Sequence, residues 1–361
     1  MHPHYSREAT NKGLRRTPRT DDKAMAAGIK YLGHHSAWRG AIRADPHSVP
    51  EAKRGNIRLP RPAGRGPSQE EALFHRTRRR AAGLLLGLCT LALAGTASAQ
   101  AVLNFGLVPS EDSRIVVSNN KPLIDHLSRS LGMEVKPFVA TDYNGVIEAM
   151  RAKKLDVAML GPFSYVLAAS VADAEAFALP DTERQGPTYH SLIIARKAEN
   201  LHGLKDLAGK TFAFVDPSST SGFLFPKAAL IRAGYNPDTF FSRVIFSGGH
   251  DASAIAVQNG KVDAAAIADA LLDNAIQRGV VKQQDIEIVW TSDPIPGAPV
   301  AYRRDLPEDL KAKLRAAFAQ VKDMPWGPQA TVKRWVPTND AAYNVVRDTA
   351  KVLNLDLKKL K

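Results

Sequence analysis

Short β-prone runs alternate with helical stretches from residue 101 onward, and this alternation constrains the fold more than any other feature. Residues 102–108 predict a first strand, residues 122–131 a helix that ends at Gly132, and residues 135–139 a second strand. Similar runs continue as far as residues 286–290. Strands separated by helices are typical of parallel α/β units. The sequence therefore predicts an α/β protein.

The predicted α/β units fall into two series, which we interpret as two lobes. Residues 100–195 form the first lobe, and residues 292–361 return to it after a proline-rich connector. Residues 196–291 form the second lobe, and a strand over residues 189–196 completes the first. Ligands of open α/β sheets bind beyond the carboxyl ends of the strands. We therefore expect a ligand crevice between the two lobes.

The positive charge of the chain lies mostly ahead of these lobes. The 361 residues carry a formal net charge of +13, and residues 1–80 hold 18 Lys and Arg against 7 Asp and Glu. Residues 100–361 hold 31 against 29, a net charge of +2. Nucleic-acid binding usually needs a strongly basic surface. We therefore expect no nucleic-acid partner.

Residues 73–99 have the pattern of an export signal. Four arginines between residues 76 and 80 precede an uncharged, leucine-rich run over residues 81–95, and residues 97–99 read Ala-Ser-Ala. A basic start, an apolar run and small residues at the cleavage site define a secretory signal peptide. The apolar run is shorter than the roughly 20 residues that cross a bilayer as a helix. We predict cleavage before Gln100, with a membrane anchor as the alternative.

The only cysteine of the chain, Cys89, falls inside this apolar run. Leu88 precedes it, whereas a lipoprotein signal needs a small residue there. After cleavage no thiol remains for a disulfide or a thiolate metal site. We therefore predict an exported, periplasmic protein. Residues 1–72 have no apolar periodicity, and we interpret them as either a disordered arm or the product of an over-extended gene start.

Residues 216–223 give the strongest local signal for a binding site. Ser219, Thr220 and Ser221 lie between a predicted strand and a predicted helix. The first-turn N–H groups of a helix lack intrahelical acceptors, and together with hydroxyl groups they can bind a tetrahedral oxyanion. The alternative is that one of these hydroxyls only caps the helix. A P-loop lysine is absent, so nucleotide hydrolysis has no support.

Three further residues are candidate hydrogen-bond donors to the same crevice. His250 follows two glycines and stands near the start of a helix in the second lobe, and Tyr143 and Tyr189 stand at the start of a helix and a strand in the first. Each can also be an ordinary surface or core-edge side chain. The histidines of this part of the chain lack the paired spacing of metal ligands. We expect neither a metal nor a cofactor.

An enzyme is the alternative from another class. Ser221, His250 and either Asp251 or Asp269 can be combined into a hydrolase triad. The G-x-S-x-G motif is missing around Ser221, however, and nothing in the sequence fixes an orienting partner for the base. We therefore expect a binding protein without catalytic activity, and a secreted serine hydrolase remains the alternative.

Five segments, taken together, resemble a known family. They are residues 142–151, 160–165, 219–223, 249–251 and 295–297. In order and spacing they resemble the phosphonate-, phosphite- and phosphate-binding periplasmic proteins of ABC importers, over nearly all of residues 101–325. The resemblance implies the two-lobe periplasmic binding protein fold of type II, with a two-crossing hinge and a central ligand cleft. It also implies a permease and an ATPase at the inner membrane as partners, and we expect a monomer.

The resemblance assigns the contacts to the phosphonate group to six residues. They are Tyr143, Tyr189, Ser219, Thr220, Ser221 and His250. Where the aminoethylphosphonate binder of the family has acidic side chains for the amine, this chain has Ala298 and either Ala270 or its neighbour Asp269. Asp269 is therefore a candidate for the substituent pocket. Phosphite, methylphosphonate, phosphate and other small oxyanions are comparable ligands, and a binding protein for another small anion or an organic acid is the alternative.

Overall fold

A computed structural model describes residues 102–327 and 330–358. The predictions for residues 1–72 and for the signal peptide at residues 73–99 lie outside these ranges. None of the helices within them is long and apolar enough to cross a membrane.

The strands and α-helices of the described ranges are labelled here in chain order. The strands are β1 (Val102–Leu107), β2 (Glu134–Val139), β3 (Val157–Met159), β4 (Ala174–Thr182), β5 (Thr188–Tyr189), β6 (Ser191–Arg196), β7 (Thr211–Phe214), β8 (Arg243–Phe246), β9 (Ala264–Ala268), β10 (Ile286–Thr291), β11 (Ile295–Pro296), β12 (Val300–Arg303), β13 (Lys322–Pro325) and β14 (Thr331–Pro337). The helices are α1 (Ser113–Leu131), α2 (Tyr143–Arg151), α3 (Pro162–Val171), α4 (Phe225–Arg232), α5 (Pro237–Phe240), α6 (His250–Gln258), α7 (Asp269–Gln277), α8 (Glu308–Ala319) and α9 (Asn344–Val352).

Two mixed sheets form the frame of the two lobes. The sheet of the first lobe has the strand order β13-β14-β4-β12-β3-β1-β2, and that of the second lobe has the order β10-β6-β9-β7-β8. The strands β2, β1 and β3 are parallel, as are β8, β7 and β9, which is the pattern the sequence predicts. The strands β12 and β6 run antiparallel to both of their neighbours.

The chain passes twice between the two sheets. It leaves the first sheet after β4 and reaches the second at β6 through β5, and it returns from β10 to β12 through β11. The strands β5 and β11 pair antiparallel, with Tyr189 opposite Ile295. The two crossings therefore run side by side as a short ribbon, which confirms the predicted two-crossing hinge.

One predicted strand belongs to the other lobe. We predicted that residues 189–196 complete the first lobe, but β6 lies between β10 and β9 in the second sheet. Five of its six residues are buried. A strand buried on both faces fits the middle of either sheet, so the local pattern does not determine which one it joins. The other predicted limits, residues 292–361 for the return to the first lobe and residue 291 for the end of the second, stay predictions.

The first helix is longer than predicted. It begins at Ser113 rather than at residue 122, because the Asp112 side chain accepts a hydrogen bond from the Arg114 N–H and caps the helix there. Pro122 lies inside the helix, where proline normally removes a backbone hydrogen bond. Burial of Val116 and Leu127 in the core favours the longer helix. Its end at Gly132, which has a φ of 65°, is as predicted.

The core of the second lobe follows from strand alternation. Successive residues of β6 contribute to opposite clusters: Ile193 packs with Phe212 on one face, and Ile194 packs with Ala213 on the other. One cluster of the first lobe also includes Leu224 and Phe225, at the start of α4. The start of α4 is therefore held against the first lobe, where its preceding loop reaches the ligand crevice.

Candidate binding site

A cavity of about 220 Å³ is lined by residues of both lobes. Leu107 and Met159 line it from the carboxyl ends of β1 and β3, and the loop after β7 lines it from the second lobe. This is the edge at which ligands bind in α/β sheets. The cavity therefore lies where the sequence predicts the crevice.

All six predicted contacts to the ligand line this cavity: Tyr143, Tyr189, Ser219, Thr220, Ser221 and His250. Tyr143 begins α2 in the first lobe, and His250 begins α6 in the second. Tyr189 differs from the prediction, because it lies on β5 in the hinge rather than in the first lobe. The fold thus brings together donors from the first lobe, the hinge and the second lobe.

The hydroxyls of the loop after β7 also hold the loop in place. Ser219 Oγ accepts a hydrogen bond of 3.0 Å from the Gly222 N–H and caps the helical turn that leads into α4. Thr220 Oγ1 accepts a hydrogen bond of 2.8 Å from the Phe163 N–H in the other lobe. An accepting hydroxyl still has its own proton to donate. Helix capping and ligand binding are therefore compatible roles for Ser219.

The two tyrosines of the cavity remain protonated. Burial raises the pKa of Tyr143 and of Tyr189 well above the ordinary value, although hydrogen bonds from neighbouring hydroxyls oppose the shift. These hydroxyls belong to Ser219 beside Tyr143, and to Thr220 and Ser221 beside Tyr189. A protonated phenol can donate a hydrogen bond to an anion.

His250 is a neutral donor. Its Nδ1 accepts a hydrogen bond of 3.0 Å from the Ala268 N–H, so the proton of the neutral ring is on Nε2. Burial lowers the pKa of His250 to about 3. The His250 backbone N–H donates to the Ser110 carbonyl oxygen of the first lobe at 2.8 Å. The imidazole is thus held between the lobes, with Nε2–H free for a ligand.

The low pKa of His250 predicts a pH dependence of stability. As the pH falls from 6.5 to about 3, the unfolded chain gains a proton on His250 that the folded chain does not take up. The free energy of unfolding therefore has its full value, as far as His250 is concerned, above pH 6.5 and decreases as the pH falls below it. We expect a loss of about 1.4 kcal/mol per pH unit in the free energy of unfolding. Urea unfolding of the wild type and of His250→Asn at several pH values measures the difference in slope. Parallel slopes would contradict a neutral His250.

The carboxylates that a hydrolase triad needs have other partners. Asp251 Oδ2 accepts a hydrogen bond of 3.0 Å from the Asp112 N–H, and Nδ1 of His250 accepts a hydrogen bond instead of donating one to a carboxylate. The arrangement is therefore not that of a Ser-His-Asp triad. Within the described ranges, no three His, Cys, Asp or Glu side chains are grouped as metal ligands.

Asp269 does not line the cavity, in contrast to its predicted place in the substituent pocket. Its Oδ2 accepts hydrogen bonds from the His190 N–H at 3.0 Å and from His190 Nδ1 at 3.1 Å, and its own N–H donates to the His190 carbonyl oxygen. These reciprocal bonds turn the carboxylate toward His190. The neighbouring residues Ala268 and Ala270 line the cavity instead.

Two ion pairs between the lobes were not predicted from the sequence. Glu111 Oε1 lies 3.0 Å from Arg278 Nη1, and Asp273 Oδ2 lies 3.2 Å from Arg184 Nη1. The Glu111 side chain is only 4% exposed, and burial raises its pKa although Arg278 opposes this shift. Glu111 follows the carboxyl end of β1, which is a signal that could have identified it. Arg278 is 167 positions away and carries no such signal.

Two mixed sheets, joined by paired crossings around a central cavity, define a periplasmic binding protein of type II. The family model for periplasmic substrate-binding proteins of phosphonate ABC transporters matches residues 105–343. The chain therefore belongs to this family.

Two curated relatives and two solved structures are similar to this chain. The phosphate-import protein of Mycolicibacterium smegmatis is 39% identical over 229 residues, which are 60% of this chain and 71% of that protein. The phosphonates-binding periplasmic protein of Escherichia coli is 32% identical over 241 residues, which are 65% of this chain and 71% of that protein. A binding protein component of an ABC phosphonate transporter from Pseudomonas aeruginosa has 29% identity and a TM-score of 0.64, over 69% of this chain and 85% of that one. The structure of a Prochlorococcus marinus protein in complex with methylphosphonate has 22% identity and a TM-score of 0.63, over 70% of this chain and 98% of that one. At this identity the similarity supports only the fold.

Proposed function

We propose that this protein is the periplasmic solute-binding component of an ABC importer, and that it captures a phosphonate or a related phosphorus oxyanion between its lobes. The observation that carries the proposal is the set of six neutral hydrogen-bond donors around one cavity. Several neutral donors in an enclosed site can bind an oxyanion through charge-assisted hydrogen bonds. The printed names of the relatives, which refer to phosphate and phosphonates, support a phosphorus anion.

Ligand contacts on both lobes couple binding to closure. An anion that touches Tyr143 of the first lobe and His250 of the second stabilises the closed arrangement over the open one. The closed protein then delivers the anion to the permease and the ATPase. We propose that the protein is exported by the signal at residues 73–99, acts as a monomer and does not chemically change its ligand.

Binding calorimetry with the purified protein tests this function. The ligands are phosphate, phosphite, methylphosphonate, aminoethylphosphonate and sulfate, and we expect at least one phosphorus anion to bind more tightly than sulfate. Each lost hydrogen bond to a charged ligand costs about 1.5–3 kcal/mol. We therefore expect Ser221→Ala and His250→Asn each to weaken binding at least about tenfold.

The matched control is Ser170→Ala, because the Ser170 hydroxyl donates to the Val166 carbonyl oxygen and does not line the cavity. This variant should bind as the wild type does. No binding of any phosphorus anion would refute the assignment, and binding of an organic acid would support the alternative within the same class. Release of product from an ester substrate, abolished by Ser221→Ala, would support a secreted hydrolase instead.

A further inference from the structure

Asp216 is a buried carboxylate that lies just after β7 and outside the ligand cavity. It is 8% exposed, and no Lys, Arg or His of the described ranges pairs with it. Burial raises its pKa, and hydrogen bonds from the backbone N–H groups of Ser218 and Tyr143 oppose this shift. A buried charge is strongly destabilising unless such bonds compensate it. The two N–H groups are therefore the partners that keep this carboxylate in place.

The two oxygens of Asp216 bind to different lobes. Oδ1 accepts a hydrogen bond of 2.7 Å from the Ser218 N–H, within the loop over residues 216–221, which we call the donor loop. Oδ2 accepts one of 3.4 Å from the Tyr143 N–H at the start of α2 in the first lobe. The first N–H groups of a helix have no acceptor within the helix. Asp216 thus joins the donor loop to the helix that begins with Tyr143.

Ser164 is a second link between the donor loop and the first lobe. It is fully buried in α3 and does not line the cavity, and its Oγ donates to the Ser218 carbonyl oxygen at 2.8 Å. The neighbouring Phe163 N–H donates to Thr220 Oγ1. Alternate residues of the donor loop, namely 216, 218 and 220, are therefore each bound to the first lobe.

We propose that Asp216 and Ser164 are positioning residues for ligand binding, which hold the donor loop against the first lobe so that the hydroxyls of both lobes meet at one oxyanion. A constellation of binding groups has to be held within about 0.5 Å of its productive geometry by contacts behind it. The inference rests on the proposed function, because it concerns how the donors to the phosphorus oxyanion are held.

The charge of Asp216 acts on the ligand in the opposite direction to this positioning role. Its field reaches the neighbouring donor, since it is one of the causes, after burial, of the raised pKa of Tyr143. A carboxylate at this place repels a bound anion. Removal of the charge alone would therefore strengthen binding, whereas loss of the positioning bonds would weaken it. The sign of the change in affinity distinguishes the two effects.

Asp216→Asn makes this test with a side chain of the same shape. An amide has one oxygen, so its NH₂ group faces one of the two N–H donors and that bond is lost. We expect the affinity for methylphosphonate at pH 8 to fall at least about tenfold in calorimetry. Unchanged or tighter binding would overturn the positioning role of Asp216.

Ser164→Ala tests the second link from the other lobe. We expect the affinity for methylphosphonate to fall about threefold or more. Ser170→Ala is its matched control, because Ser170 lies on the same helix and also donates to a backbone carbonyl oxygen, that of Val166 within α3. Equal affinities of these two variants would overturn the role of Ser164.

The rate constants give a readout that a loss of stability alone would not change. Trp326 lines the cavity, so tryptophan fluorescence in stopped flow follows binding. Contacts between the lobes act after the ligand has entered, and affinity differences among variants of one site are mostly differences in dissociation. We expect faster dissociation and unchanged association for Asp216→Asn and Ser164→Ala. Slower association with unchanged dissociation would contradict the inference.

Asp263→Ala is the control for a general loss of stability. Asp263 Oδ2 accepts a hydrogen bond of 2.7 Å from the Thr211 N–H, at the opposite end of β7 and within the second lobe. This variant should lower the free energy of unfolding in urea without a change in affinity. Weakened binding equal to that of Asp216→Asn would overturn the inference. Failure of the wild type to bind any phosphorus anion would instead refute the proposed function, which distinguishes the two failures.

Discussion

Gly222→Ala is expected to destabilise the protein strongly and to weaken phosphonate binding at least tenfold. A Cβ atom at residue 222 would lie 2.4 Å from both Cβ and Cγ2 of Val215 and 2.8 Å from Ser219 Oγ. Val215 is fully buried, so it has little space to move away. Overpacking of this kind costs about 1–3 kcal/mol and sometimes more, and we expect the upper end of this range. Urea unfolding measures the loss.

The same substitution also disturbs the donors. The Gly222 N–H bonds to Ser219 Oγ, and its carbonyl oxygen accepts from the Val215 N–H. A displaced Gly222 therefore shifts the loop that carries the Ser219, Thr220 and Ser221 hydroxyls. Calorimetry with methylphosphonate measures the effect on binding.

Gly203→Ala is the matched control for Gly222→Ala. A Cβ atom at residue 203 would have no heavy atom within 4 Å, and the φ of Gly203 is −171°, which any residue adopts. This variant should change neither the free energy of unfolding nor the affinity by a measurable amount. Similar behaviour of the two variants would show that the close approach at Gly222 has no consequence for the site.

Five of the six predicted ligand contacts, all except Tyr189, line the cavity because they stand at junctions between strands and helices. Polar residues such as Ser219 and His250 follow parallel strands, and the carboxyl ends of parallel strands meet at one edge. Local pattern and topology agree there, so the sequence predicts that these particular residues line the cavity.

The misplaced and missed features depend on contacts between distant residues. The strands β4, β13 and β14 had no assignment from the sequence. The strand β4 pairs with β12 and with β14, both of which lie far from it in the chain. The sheet that β6 joins is likewise decided by its partners. The Asp269 carboxylate is turned from the cavity by His190, which is 79 positions away. Local periodicity contains no information about such pairs.

Arg278→Met is expected to lower the affinity for methylphosphonate at least about hundredfold at pH 8. The substitution leaves the Glu111 carboxylate buried and unpaired in the cavity wall, beside an anionic ligand. Removal of one partner of a buried ion pair destabilises the arrangement that buries it by about 3–5 kcal/mol. Glu111 and Arg278 lie on different lobes, so we expect this cost to fall on the closed arrangement that holds the ligand. Repulsion between Glu111 and the bound anion acts in the same direction. Calorimetry at pH 8 measures the loss.

The loss should depend on pH in a defined direction. Burial already raises the pKa of Glu111, and without Arg278 this pKa rises further. At pH 5 the carboxyl group is then protonated in a larger fraction of the molecules, so the penalty should be smaller than at pH 8. The wild type at the same two pH values accounts for titration of the ligand. The double variant Glu111→Gln with Arg278→Met has no buried charge and should recover most of the affinity at both pH values.

The second ion pair between the lobes is the control for the first. The side chains of Arg184 and Asp273 are 50% and 43% exposed, and exposed pairs contribute about 0.2–1 kcal/mol. Arg184→Met should therefore reduce the affinity less than about fivefold and without a strong pH dependence. Asp273 lies in α7 and Arg278 directly follows it, so both pairs join the first lobe to the same part of the second. A difference between the two variants therefore reports the difference in burial and not a difference in position. Equal effects of Arg278→Met and Arg184→Met would show that the buried charge of Glu111 does not control binding.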